Sequence, residues 1–472
     1  MKTVAITTLG CKTNQTDSAA MEESLKQGEF HLIDFSDQAD VYIINTCTVT
    51  HKSDFQSRQL IRRAKRQNPD AKVIVAGCYA QVSPDEVANI EGVDYVIGNT
   101  GKFDIAAILD SRATPPNPLS TSTPLNPLFN KEGKPIGRGV SKEGEPKAGE
   151  LVVKSGLSKK IITTDIFKET EVKRFKVSTF SGHTRAFLKI QEGCHAFCSY
   201  CIVPYARGGS RSVKPADVMD GLKMLVDEGY KEVVLTGIHL GYFGEDLSPV
   251  TDLLSLAKAI DKEFPKLRVR ISSLEPTEIT DEFIEFLSTS SAVCNHLHIP
   301  LQSGDDNILK AMNRRYTSSF FASVIEKAVS KVTDVGIGVD VIVGFPGEGE
   351  GEFLNTYNLL KRLPVSYLHV FPYSKRKGTP AALFLNHVHP DTIKKRCELL
   401  REMSEEKKRE FMGRFVGEEV SALVEGKRDI GSGLIKATTR NSLQLQVVCD
   451  TGMRNQEIKV VVADSEGRAV KS

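Results

Sequence analysis

AFLKIQEGCHAFCSYC, residues 186–201, decides how this chain is read: an apolar, strand-like run leads directly into three cysteines spaced C-x3-C-x2-C. Thiolates at Cys194, Cys198 and Cys201 can hold three irons of a cubane cluster while the fourth iron keeps an open site. A closed cluster only passes electrons, whereas an open one also grips a small molecule. Zinc is the competing reading, but zinc sites favour paired Cys-x2-4-Cys or Cys/His spacings that complete four ligands. His195 lies inside the run, yet the nearest other cysteine in sequence is far away.

Outward from this run, strands and helices alternate. AFLKI, EVVLTG, LRVRISS, HLHIPL, VDVIVGF and YLHVFPY read as strands, separated by amphipathic stretches such as ADVMDGLKMLVDEG and SFFASVIEKAVSKV. Six such units predict a partial (β/α)6 barrel of parallel strands, spanning residues 181–411. Its active face lies where strands end, and the cysteines follow the first strand directly. Gly237, Glu275 and Gln302 stand at other strand ends, with Asp340 inside VDVIV. Turn chemistry and helix capping are the plain roles for Gly and Glu at such loops. Arg207 and Arg211, in PYARGGSRS, suit phosphate contacts or a solvated basic loop.

The first 111 residues repeat one pattern: an apolar run ends in a cysteine. TVAITTLG precedes Cys11, VYIINT precedes Cys47 and KVIVAG precedes Cys78, at intervals of 36 and 31 residues. Those intervals are the length of a strand–helix–strand unit. Parallel strands with right-handed crossovers share one C-terminal edge, where ligands of open α/β sheets bind. The three thiols therefore converge in this reading and again form a set with one metal corner vacant. As single residues, each would pass for a small buried apolar side chain, which is the reading for Cys294, Cys397 and Cys449.

At 472 residues, 40% hydrophobic and 26% charged, the composition is that of a soluble protein of several domains. A net charge of +2 makes any nucleic-acid contact a matter of local patches. No apolar stretch is long enough for a membrane span, and MKTVAITTLG lacks the pattern of a secretory signal. Nine cysteines without such a signal point to the cytoplasm and to metal rather than disulfides. Residues 112–180 read as a low-complexity insertion and linker, crowded with Pro, Ser, Thr, Gly and Lys. From residue 412 to 472, VSALVEG, GSGLIKATT, SLQLQVVCD and EIKVVVAD predict a small antiparallel barrel.

TLGCKTNQTDSAAM, INTCTVT, VAGCYAQ and LKIQEGCHAFCSYCIVPYARG resemble the methylthiotransferases, radical S-adenosylmethionine (SAM) enzymes that combine two 4Fe–4S clusters. LHIPLQSGDDNILKAMNRRYT and VDVIVGFPGE extend the resemblance, which covers nearly everything but residues about 112–175. TLGCK-NQ-DS and NTCTVTH are most similar to the branch acting on N6-threonylcarbamoyladenosine in tRNA. The resemblance implies a fold of three parts: a parallel-sheet α/β domain, a radical-SAM barrel and a C-terminal TRAM domain that helps bind RNA. It implies a SAM-exchangeable cluster on Cys194, Cys198 and Cys201, and an auxiliary, sulfur-donating cluster on Cys11, Cys47 and Cys78. Gly237, Glu275, Gln302 and Asp340 become SAM contacts, and Arg207 and Arg211 shape the entrance for RNA. A SAM-derived 5′-deoxyadenosyl radical then removes hydrogen from C2 of the adenine at position 37. A reductase or flavodoxin-type donor completes the expected partners. The rivals are isopentenyladenosine in tRNA or a ribosomal-protein aspartate as substrate. A non-enzymatic RNA-binding or electron-transfer protein is the rival from another class.

Overall fold

The computed structural model describes residues 2–109, 152–156, 159–173, 177, 179–180, 182–428 and 432–471. Of the insertion and linker read at 112–180, residues 112–151 lie outside them, while Val152–Gly156 and Lys159–Thr163 are strands. Two compact units form, and neither is one stretch of sequence. The first takes residues 1–177, 191–212 and 374–383; the second takes 178–190, 213–373 and 384–472. The cysteine run at 194–201 thus groups with the N-terminal sheet, unlike the four consecutive segments read from sequence.

The first unit is built on β1 (Thr3–Thr8), β2 (His31–Ile33), β3 (Val41–Thr46), β4 (Lys72–Gly77), β5 (Tyr95–Ile97), β6 (Val152–Gly156) and β7 (Lys159–Thr163). Their order is β2-β1-β3-β4-β5-β7-β6, all parallel except the β6–β7 pair. Successive strand residues face opposite sides. Val41, Ile43 and Ile74 therefore meet Met21 and Leu25 of α1 (Lys12–Gln27) on one face. Tyr42, Ile44, Val73 and Val75 meet Ile61 and Ala64 of α2 (His51–Gln67) on the other. Burial on both sides explains why these strands read as unbroken apolar runs. The basic side chains of α2 lie around that buried stripe, with Arg62 and Arg63 exposed.

The second unit holds β8 (Ala186–Lys189), while β9 (Gln191–Glu192) and β10 (Arg211–Ser212) are a short antiparallel pair of the first. Its remaining parallel strands are β11 (Glu232–Thr236), β12 (Arg268–Ile271), β13 (His296–Gln302), β14 (Gly336–Val343) and β15 (Tyr367–Pro372). They form two three-stranded sheets, β12-β11-β8 and β13-β14-β15, linked by Leu274 N–H to His298 O at 3.0 Å. These are the six strands expected of the partial barrel. The helix Pro390–Gly413 packs along β15, where Ser404 Oγ accepts from Leu368 N–H at 2.9 Å.

A closed barrel follows: β16 (Glu419–Arg428), β17 (Ile435–Thr439), β18 (Gln444–Val447), β19 (Glu457–Val462) and β20 (Arg468–Lys471). It holds one strand more than the four read from sequence, and the closing β18–β20 pair is parallel, not antiparallel. Three buried ions join it to the strand sheet. Glu232, fully buried, accepts from Arg268 and Arg270, and those arginines also donate to the carbonyls of Thr438, Thr439 and Arg440. No helix of the described residues is long and apolar enough to cross a membrane.

Candidate functional site

The order β2-β1-β3-β4-β5 reverses direction between β1 and β3, and ligands of such sheets bind beyond the strand ends at that point. Cys11 follows β1 as the N-cap of α1, and Cys47 follows β3. Cys78 opens the helix Cys78–Val82 directly after β4. Their loops touch. Gly10 has φ +100°, and a Cβ there would stand 2.6 Å from Cys47 Cβ and 2.9 Å from its Sγ. Gly77, at φ +97°, would put a Cβ 2.6 Å from Asn45 Oδ1 and Thr46 O. Only glycine permits both approaches. Asn14 Nδ2 stitches the loops by donating to Leu9 O (2.7 Å) and Thr46 O (2.9 Å).

The thiols also feel one another. Burial, then the neighbouring Cys78 and Cys11, push the Cys47 thiol up to about 12. A buried thiol that resists ionising alone, as Cys47 does, is what a cationic metal core reverses, because a coordinating thiol is deprotonated outright. Cys11 is exposed while Cys47 and Cys78 are buried, so the set has one open side. The donor chemistry fits a cluster held by three thiolates.

The second trio lies on the loop after β9, in the same compact unit. Cys194 N–H donates to Gly208 O and Cys201 N–H to Cys198 O, both at 2.9 Å. Phe197 takes φ +47°, and Gly193, at φ +75°, has Gly209 O only 1.9 Å from where a Cβ would sit. The loop is therefore folded tightly back on residues 208–209. Cys194, Cys198 and Cys201 are all partly exposed.

One short helix, Val203–Arg207, touches both trios. Tyr205 lies beside Cys201, and burial followed by that thiol raises its hydroxyl's pKa. Asn99 Nδ2 stands 3.6 Å from Cys78 Sγ and donates to Ala206 O at 2.7 Å. Arg207 Nη1 donates to Asp17 Oδ2 (2.9 Å) and Glu192 Oε1 (3.0 Å), and its Nη2 to Asn14 Oδ1. Lys102 Nζ meets the same Asp17 oxygen at 2.5 Å, fully buried. Burial opposes the charge on Arg207, but Cys78, Glu192 and Asp17 outweigh it and hold its pKa above the ordinary range. For Lys102 burial prevails over Asp17 and lowers it.

Arg207 and Arg211, expected to meet RNA phosphate, are thus 2% and 5% exposed. Arg211 donates to Arg207 O (2.9 Å) and Glu169 O (3.3 Å). Both face inward because buried carboxylates and carbonyls hold them there.

Reasoning from sequence missed Asn14, Asp17, Asn99 and Lys102, and also residues 374–383. In that segment Arg376 Nη2 reaches Asp54 Oδ2 (2.7 Å) and Thr48 Oγ1 (2.6 Å), while Ala381 N–H donates to Ser199 O at 2.8 Å. It therefore ties the Cys47 loop to the second trio's loop. SKRKGTP reads locally as a solvated basic turn, so no signal in the chain marks it.

In the second unit, Gly237 follows β11, Glu275 follows β12 and Gln302, at φ +64°, ends β13. Glu275 is paired with Arg314, and burial raises its carboxyl's pKa despite that arginine. Asp340 sits within β14, its Oδ1 2.8 Å from His298 Nε2 and 3.3 Å from His369 Nδ1.

Residues 3–98 match the family described as Uncharacterized protein family UPF0004, and residues 188–360 match the Radical SAM superfamily. The chain is 41% identical over 425 residues to the threonylcarbamoyladenosine tRNA methylthiotransferase MtaB of Bacillus subtilis (strain 168), covering 90% of this chain and 85% of that protein. It is 38% identical over 424 residues to the protein of the same name from Aquifex aeolicus (strain VF5), covering 89% and 92%. Among solved structures, TsrM from Kitasatospora setae, a radical S-adenosylmethionine methyltransferase with cobalamin and a 4Fe-4S cluster bound, is similar with TM-score 0.53. That likeness, at 15% identity over 81% of this chain and 74% of that one, speaks for the fold alone.

Proposed function

We infer, from the premise that this chain belongs to the radical-SAM methylthiotransferases and to their threonylcarbamoyladenosine branch, that it methylthiolates C2 of N6-threonylcarbamoyladenosine at position 37 of tRNA. The observation that carries the reading is the pair of cysteine trios in one compact unit, joined by Asn99 and Arg207. When bound, two 4Fe–4S clusters and SAM supply the radical and the sulfur that turning a C–H into a C–S bond requires.

The chain's own share is placement. Cys11, Cys47 and Cys78 would hold the auxiliary cluster, and Cys194, Cys198 and Cys201 the cluster that takes SAM. The helix Val203–Arg207 keeps the two loops in register through its side chains, on rigid elements rather than free loops. Gly237, Glu275 and Gln302 from the strand ends, with Asp340 from within β14, are the proposed SAM contacts. The C-terminal barrel is the proposed RNA handle, since barrels of this size commonly bind oligonucleotides. A target beside the anticodon would be read as splayed, single-stranded RNA. A soluble flavodoxin-type donor in the cytoplasm would reduce the clusters.

Mass spectrometry of tRNA nucleosides from a deletion strain tests the substrate. The 2-methylthio derivative of N6-threonylcarbamoyladenosine is expected to vanish while its precursor accumulates. Persistence of that derivative, with loss of the isopentenyl one instead, overturns the choice. Formation of 5′-deoxyadenosine by the anaerobic, reduced protein excludes a purely electron-transferring role.

A further inference from the structure

The outward face of α2 carries one sign of charge. Lys52, Phe55, Gln59, Arg62 and Arg66 recur every three or four residues, a spacing that gathers them on about a quarter of the helix circumference. All five are exposed, while Asp54, Ser57, Ile61 and Ala64 occupy the opposite, buried side. From Lys52 to Arg66 the stripe runs about 21 Å. Asp54, the acidic residue of this helix, is turned inward to Arg376. Arg58 donates to Tyr79 OH at 2.9 Å and lies 3.7 Å from Glu86, and Lys65 lies 3.5 Å from Asp94. The side chains of Lys52, Arg62 and Arg66 have no such partner among the described residues.

Exposed cations on other helices are paired along their own helix, as Lys223 is with Asp227 and Lys408 with Glu405. Arg62 instead stands four residues from both Arg58 and Arg66, a like-charge spacing that weakens a helix. Folding gains nothing from this stripe, so its charge complements a polyanion outside the chain. The same end of α2 that continues from the Cys47 loop gathers further cations. His51 N–H donates to Ser374 Oγ at 3.0 Å, which brings the exposed Lys375 and Lys377 to the start of the helix. Phe55, one turn in, keeps 53% of its surface exposed and has no ring partner among the described residues. A basic track headed by an open aromatic suits structured RNA: cations follow the phosphates and a ring takes an unstacked base.

We propose that this stripe is a docking surface for the anticodon arm of tRNA, with Arg62 and Arg66 against stem phosphates and Phe55 under an unstacked loop base. Lys52, Lys375 and Lys377 hold the backbone at the loop end. The inference rests on the function proposed above and adds a second RNA surface to the C-terminal barrel, on the unit that carries both cysteine trios. It also supplies the phosphate contacts that Arg207 and Arg211, held inward, do not make.

The test follows binding of a labelled anticodon stem-loop RNA to the cluster-loaded full chain by fluorescence anisotropy, over a range of salt concentrations. Wild type is compared with Arg62→Gln/Arg66→Gln, with Arg58→Gln/Lys65→Gln and with Phe55→Ala. Each phosphate contact contributes about one unit to the slope of log affinity against log salt. The Arg62/Arg66 variant should therefore lose about two units of slope, and the Arg58/Lys65 variant, whose cations already have partners, less than about half a unit. Phe55→Ala should weaken binding roughly 5- to 150-fold with the slope unchanged, since stacking releases no counterions. Iron per chain should match wild type throughout, which separates a lost surface from a damaged fold. A slope unmoved in the Arg62/Arg66 variant overturns the proposal in favour of a solvated face. Equal losses in both pairs overturn it in favour of a general field. A loss seen with whole tRNA and not with the stem-loop moves the contact off the anticodon arm and overturns it too. Methylthiolation of the stem-loop by a wild type whose slope neither pair moves leaves the proposed function standing and removes the surface alone. A wild type without salt-dependent affinity for tRNA removes both.

Discussion

Arg207→Met is the sharpest perturbation of the bridge between the two cysteine trios. Arg207 is 2% exposed and donates to Asp17, Glu192 and Asn14, groups that stand beside Cys11 and Cys194 in the chain. Methionine fills much of the same volume but removes the charge. Removing one member of a buried ion cluster costs about 3–5 kcal/mol, because the remaining charges stay desolvated. At about 1.4 kcal/mol per tenfold change, local opening should rise roughly 100- to 4,000-fold. A denaturant curve reads this poorly, since the chain has two compact units and no tryptophan. Hydrogen-exchange mass spectrometry resolves it, on peptides covering α1 and the helix Val203–Arg207. Arg207→Lys should accelerate exchange less, about tenfold, since lysine keeps the charge but not the planar fork. Exchange in α1 changed by less than about threefold in Arg207→Met would refute the bridge, and the guanidinium would be a spectator.

Other outcomes follow from the same geometry. Replacing Cys11, Cys47 and Cys78 together by alanine should halve the iron of the reconstituted protein, from about eight per chain, while SAM cleavage continues; unchanged iron would make these thiols packing only. Gly10→Ala forces a Cβ to 2.6 Å from Cys47 Cβ at φ +100°, so auxiliary iron should be lost, and full retention would contradict the close approach of the two loops. Glu232→Gln weakens the hold on Arg268 and Arg270, both at 2.9 Å. Limited proteolysis should then release the C-terminal barrel sooner, and an unchanged digestion rate would count against the buried joint. Burial raises the Asp340 carboxyl's pKa, but hydrogen bonds from His298 and His369 win and hold it well below the ordinary 3.8. Its contribution to stability is therefore complete above the ordinary value and lost as pH falls toward the folded one. Acid unfolding followed by circular dichroism should be steeper in the wild type than in Asp340→Asn, and parallel curves would remove Asp340 from the account.

Legibility followed distance along the chain. The repeated apolar-run-then-cysteine pattern placed Cys11, Cys47 and Cys78 at strand ends, because a strand–helix repeat imposes a period that a reader can count. The six barrel strands were legible for the same reason. The fifth strand of the terminal barrel was not, because Arg468–Lys471 is four residues long with only Ala469 buried. Arg207 and Arg211 read as phosphate contacts or a solvated basic loop, since a local window shows charge but not the carboxylates that fold back upon it. Arg376 was invisible for the same reason: its partner Thr48 lies 328 residues away.

The chain alone therefore determined where the thiols fall within each unit, since spacing and periodicity are properties of neighbouring residues. Only the tertiary structure decided which segments share a unit: residues 191–212 and 374–383 join the N-terminal sheet through buried ions and backbone hydrogen bonds. It also aligned His298, Asp340 and His369 on three adjacent strands. Hydrogen bonds and desolvated charges act over a few ångströms of space, whatever the separation in sequence, and no window along the chain records them.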